Sequence, residues 1–77
     1  MTYEMFEKME ALRIALNENG GAVQLFDGTW ISDYGCKYTL FETDDPQEVG
    51  TEISGEEAAE LYAMSIAEAN KFARRYA

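Results

Sequence analysis

The chain has 77 residues, of which 15 are acidic and six basic with no histidine, for a formal net charge of −9. A chain of this size buries only about 60–65% of the surface it exposes when unfolded, so one small domain is expected, without a second domain or a deep substrate cavity. The charge repels phosphate and anionic lipid, which argues against direct nucleic-acid and membrane binding and for a protein partner with a basic surface.

The spacing predicts a first helix over residues 3–17. Thr2 is a suitable N-cap and Glu4 sits in the first turn, where the helix dipole favours negative charge. Met5, Met9, Leu12 and Leu16 recur at helical spacing, flanked by Phe6, Ile14 and Ala15, and Glu4 and Lys8 form an i,i+4 pair. Asn17-Glu18-Asn19-Gly20-Gly21 then ends the helix with residues that accept a left-handed backbone.

A three-stranded antiparallel meander is expected next. Residues 22–26 and 29–32 flank Asp27-Gly28, the pair favoured in a two-residue hairpin turn. That turn would place Leu25 opposite Trp30 and Gln24 opposite Ile31. Val23, Leu25 and Trp30 would then face the core, and Gln24, Phe26, Thr29 and Ile31 the other side. A third strand over residues 36–42 adds Tyr38 and Leu40 to the core face, leaving Lys37, Thr39 and Phe41 opposite.

Residues 43–50 read as an acidic loop broken by Pro46 and Gly50. Ser54 and Glu57 match a capping box, which starts a second helix over residues 55–76, about 33 Å long. Its expected buried stripe is Ala58, Leu61, Tyr62, Ile66, Ala69, Phe72, Ala73 and Tyr76, with Lys71, Arg74 and Arg75 near the cation-favouring C-terminal end. The fold class is therefore α+β: a two-layer α-β-β-β-α domain, with a three-stranded antiparallel sheet and two helices on one face.

The rest of the composition narrows the function. Apolar residues form 47% of the chain and aromatics 13%, which fits a folded domain rather than an acidic tail. The sequence lacks a run of about 18 apolar residues, and its first residues lack the basic start of a secretion signal. A single cysteine, Cys36, suits a reducing cytoplasm. With no histidine to serve as its base, Cys36 reads as a small buried residue at a strand start, and no catalytic role or cofactor is expected. Asp44, Asp45 and Glu48 share one loop, but the segment departs from the calcium-loop pattern and Pro46 interrupts it, so no metal site is expected.

Charge patterning is the strongest functional signal. Residues 42–60 hold eight acids and no base: Glu42, Asp44, Asp45, Glu48, Glu52, Glu56, Glu57 and Glu60. Solubility and the helix dipole account for some of these, but not for the near absence of interspersed lysines. Carboxylates three or four residues apart on a helix stand about 5–6 Å apart at Cβ. Such an array suits a groove whose Lys and Arg match phosphates spaced about 3.4 Å along a DNA strand. A second candidate is the uncovered sheet face, where Phe26, Ile31 and Phe41 would cluster, with Tyr34 projecting from the loop before the third strand.

A chain this short and acidic, with helices flanking a small antiparallel sheet, resembles the small phage-encoded inhibitors of bacterial defence, the anti-CRISPR and anti-restriction proteins. The likeness lies in overall character, through the acidic stretch 42–60 and the α-β-β-β-α order, without a diagnostic motif. It implies a cytoplasmic protein of a bacterial host that binds an effector, such as a CRISPR effector complex, and blocks DNA loading or nuclease recruitment. The resemblance carries over no contact residue; the charge asymmetry places the expected partner contacts at Asp44, Asp45, Glu48, Glu52, Glu56, Glu57 and Glu60, with Tyr34 or Phe41 as apolar anchors. The alternative is a self-associating structural or adaptor module that uses the sheet face. The chain would be a monomer or a weak homodimer.

Overall fold

The computed structural model describes residues 2–34, 37–42 and 49–76. Helix α1 (Tyr3–Glu18) starts at Thr2, whose hydroxyl accepts a hydrogen bond from the Met5 N–H at 3.1 Å. It ends at Asn19, and the Gly21 N–H donates to the Leu16 carbonyl at 2.8 Å. Gly20 and Gly21, at φ +76° and +102°, supply the left-handed backbone that turns the chain out of the helix.

Four strands follow: β1 (Ala22–Gln24), β2 (Trp30–Ser32), β3 (Tyr38–Phe41) and β4 (Thr51–Ile53), and then α2 (Gly55–Tyr76). They pair antiparallel in the order β1-β2-β3-β4, leaving β1 and β4 at the edges. Among the described residues the domain is α+β with two helices, but the sheet has four strands rather than three. Residues 51–53 carry no strand signal of their own, because Thr51-Glu52-Ile53 is too short to display a period of two. β4 pairs with β3 through Tyr38–Ile53 and Leu40–Thr51. Before it, Gly50 lies so close to β3 that a Cβ there would collide with the Thr39 methyl and the Phe41 ring.

The first hairpin departs from the expected register by one residue. The Leu25 carbonyl accepts from the Gly28 N–H at 3.0 Å, and the Leu25 N–H donates to the Thr29 carbonyl at 2.7 Å. Its loop therefore has three residues, Phe26, Asp27 and Gly28, with the glycine last at φ +95°. The Asp27 carboxylate accepts from the Thr29 hydroxyl at 2.6 Å and the Thr29 N–H at 3.0 Å, and these bonds hold its pKa below the ordinary 3.8. Val23 thus faces Ile31, and Gln24 faces Trp30.

Because strand side chains alternate, a shift of one residue turns β2 over. Ile31 is fully buried, whereas the two-residue turn had placed it outside. Trp30 is half-buried on the opposite face, paired with Phe41 rather than packed in the core. The core joins Leu12 and Leu16 of α1 to Val23, Leu25 and Ile31, and to Ala58 of α2. Tyr38, Leu40 and Ile53 pack around it from the same sheet face, so both helices cover one side of the sheet.

The stripe expected along α2 is covered only in its first half. Ala58 and Ala59 are fully buried, but Ile66, Phe72 and Tyr76 are 45%, 52% and 67% exposed. Length explains this: 22 residues make a helix of about 33 Å, while four strands at about 4.8 Å spacing span less than half of that. The C-terminal half of α2 overhangs the layer it was expected to cover.

Candidate acidic interface

The start of α2 gathers three of the four described candidate carboxylates, Glu56, Glu57 and Glu60. Ser54 caps the helix: its hydroxyl accepts from the Glu57 N–H at 3.0 Å, and its carbonyl accepts from the Ala58 N–H at 2.9 Å. The cap fixes Glu56 and Glu57 in the first turn, both exposed, with Glu60 one turn on. At i,i+3 and i,i+4 spacing the three side chains share one face of the helix, about 5–6 Å apart at Cβ.

Two of the four described candidate acids already hold cations. The Lys8 ammonium reaches Glu60 at 3.1 Å, so it bridges α1 to α2 instead of pairing with Glu4. Glu52, on the β4 edge, pairs with Lys37 at 3.4 Å. Both pairs are substantially solvated and contribute at most about 1 kcal/mol each. A competing basic surface can therefore displace either lysine at small cost. Glu56 and Glu57 make no ion pair with any described residue.

The remaining candidates divide. Tyr34 is 90% exposed, and its N–H donates to the Ser32 hydroxyl at 3.2 Å. It follows β2 at the end of the sheet where Tyr38 pairs with Ile53, the end from which α2 departs. Phe41 lies at the opposite end of β3, half-buried over Gly50 on the uncovered sheet face. The geometry thus groups Tyr34, Glu56, Glu57 and Glu60 toward one end and sets Phe41 apart. Asp44, Asp45, Glu48 and Cys36 lie outside the described residues.

The aromatic sheet-face cluster expected from Phe26, Ile31 and Phe41 does not form. Ile31 is in the core, and Phe26 sits in the hairpin loop with its ring 5.6 Å from that of Phe72. The side chain missed on the uncovered face is Trp30, and loop length was the signal for it. A three-residue loop ending in glycine reverses the parity that a two-residue Asp-Gly turn implies. The bridging role of Lys8 had no local signal, since its partner is 52 residues away.

Chemically, the face offers carboxylate acceptors on a rigid helix, suited to ammonium and guanidinium groups. Among the described residues, no group of three or more histidine, cysteine or acidic side chains is placed to hold a metal ion. No described helix is long and apolar enough to cross a membrane. Comparison with protein-family models, curated proteins and solved structures finds no match for this chain.

Proposed function

We propose that the chain is a non-enzymatic protein inhibitor of the anti-CRISPR kind. It binds a basic, nucleic-acid-binding surface of an effector complex in the bacterial cytoplasm and blocks DNA binding or nuclease recruitment. The observation that carries this reading is the carboxylate face of the exposed Glu56 and Glu57 with the half-buried, Lys8-paired Glu60, presented by a capped helix in a chain of net charge −9. The Ser54 cap holds these acids in place before a partner arrives, which reduces the ordering entropy lost on binding. Opposite fields also steer such a pair together and make the association sensitive to salt. Glu52, paired with Thr39, points by strand alternation to the sheet face that the helices leave uncovered, and so lies apart from this array. Asp44, Asp45 and Glu48, from the same acidic stretch, extend the contact, and Tyr34 serves as its anchor.

The test is capture from bacterial lysate on the tagged protein, with elution first by salt and then, separately, by duplex DNA. The reading expects a nucleic-acid-binding effector released by moderate salt and by DNA. A captured partner that DNA does not displace would contradict it.

A second reading, a self-associating module, rests on Trp30 and Phe41, which pair across β2 and β3 on the sheet face that neither helix covers. In that reading Phe41→Asp dissociates a dimer seen by sedimentation. A chain that stays monomeric at high concentration removes this reading.

A further inference from the structure

The groove beside β1 has an apolar wall and outward backbone groups at Ala22 and Gln24, while the next outward group, the Phe26 N–H, donates to the Ser65 hydroxyl of α2 at 2.7 Å. β1 is an edge strand, and its odd-numbered residues bond toward β2: the Asp33 N–H donates to the Gly21 carbonyl at 3.1 Å, and the Leu25 N–H to the Thr29 carbonyl at 2.7 Å. The alternation of an antiparallel ladder therefore turns the N–H and C=O of Ala22 and Gln24 outward. Along this edge runs an open groove of about 590 Å³, walled by Tyr62, Ile66 and Ala69 of α2. Charged residues make up 27% of the chain, yet no described one lines this groove.

Phe26 also borders a second depression, of about 270 Å³, where Lys71 and Arg75 outnumber Glu68 beside Phe72 and Tyr76. The three rings form a continuous run, with Phe26 and Phe72 5.6 Å apart and Phe72 and Tyr76 4.6 Å apart. The edge of β1 thus leads, past the Ser65 hydroxyl bound to the Phe26 N–H, from an uncharged apolar groove to a depression where two cations outnumber one carboxylate.

We propose that an extended segment of a partner protein adds to β1 as a fifth, antiparallel strand, with alternate apolar side chains under α2 and acidic residues at its N-terminal end beside Lys71 and Arg75. Outward backbone groups at a sheet edge are matched by another strand, and side chains pointing to one face supply the specificity. A strand about 4.8 Å beyond β1 falls where α2 overhangs the sheet. β1 runs toward Phe26, so an antiparallel strand starts at the cationic end. A second copy of the chain is the weaker occupant, because two bodies of net charge −9 repel. This inference goes beyond the acidic-face reading and uses none of its residues.

The probe is acetyl-Glu-Glu-Val-Thr-Val-Thr-Val-amide, titrated into isotope-labelled protein and followed through backbone amide shifts. The proposal expects shifts at Ala22 and Gln24, and binding about fivefold weaker when the two glutamates are replaced by lysines, as expected for two exposed ion pairs. Gln24→Pro removes an outward N–H but no ladder bond, so it should abolish the shifts while the remaining spectrum persists. If that variant does not fold, Lys71→Glu with Arg75→Glu should erase the preference for the acidic peptide. Absence of shifts at millimolar peptide, or an unchanged preference in the charge-reversed variant, overturns the proposal. So does a dimer in sedimentation that Gln24→Pro dissociates, since a second copy would then be the occupant. Reversal of Glu56, Glu57 and Glu60 leaves the titration unchanged, so failure here is distinct from failure of the acidic-face reading.

Discussion

The two halves of α2 share one hydrophobic periodicity and meet different surroundings. In the first half, Ala58 and Ala59 are fully buried, and Glu60 is tied to α1 through Lys8. In the second half the same stripe continues through Ile66, Phe72 and Tyr76, each at least 45% exposed, with Phe26 from the hairpin loop stacked against it. Amphipathicity is a local property of the chain, but burial depends on what stands opposite. Four short strands and a shorter helix do not reach the end of a helix of about 33 Å. The acidic half is anchored to the core, while the basic half carries apolar surface without cover from the described chain.

The contrast can be broken most directly by truncating the core under the first half. Leu12→Ala should cost about 3 kcal/mol, as expected for a fully buried leucine in a packed cluster, read from urea unfolding. Ile31→Ala should cost a similar amount and Trp30→Ala clearly less. The reverse order would reinstate the two-residue turn and its register. Next in size is Ser54→Ala, which removes the cap of the acidic half and should cost about 1 kcal/mol. Hydrogen exchange should then accelerate in the first turn of α2 and not in the last.

In the overhanging half, Phe72→Ala should cost only about 0.5–1 kcal/mol, because its ring is half exposed and packs mainly on Phe26 and Tyr76. A loss as large as that of Leu12→Ala would mean that the second half is packed like the first. The smallest expected effect is acid dependence at the hairpin loop that carries Phe26. Hydrogen bonds from Thr29 keep the pKa of Asp27 below 3.8 in the folded chain. Their contribution is fully present above the unfolded value of about 3.9 and is lost as pH falls through the lower folded pKa. Asp27→Ala should therefore flatten the acid limb of a thermal unfolding series, and an unchanged limb would show that these bonds do not hold the loop.

Where local pattern and tertiary setting agreed, the sequence was legible. Thr2 and Ser54 cap the helices as their side-chain chemistry predicts, and α2 has the expected ends. Asp27-Gly28 marked the hairpin correctly but not its length. Because strand faces alternate, that single residue decided whether Ile31 or Trp30 entered the core. β4 is too short to carry a period, and its pairing with β3 is set by tertiary contact. Of the acidic candidates, the helix periodicity grouped Glu56, Glu57 and Glu60. It gave no indication that lysines from α1 and from beside β3 would hold Glu60 and Glu52.

The central claim is that the acidic end of α2, and not its basic end, engages the proposed basic partner. It is tested by measuring the affinity of that captured partner for two triple variants, one with Glu56, Glu57 and Glu60 changed to lysine and one with Lys71, Arg74 and Arg75 changed to glutamate. Reversal of the acids should abolish the DNA-competable binding, and reversal of the bases should leave it intact or strengthen it. Equal loss in both variants, or loss in neither, would contradict the claim.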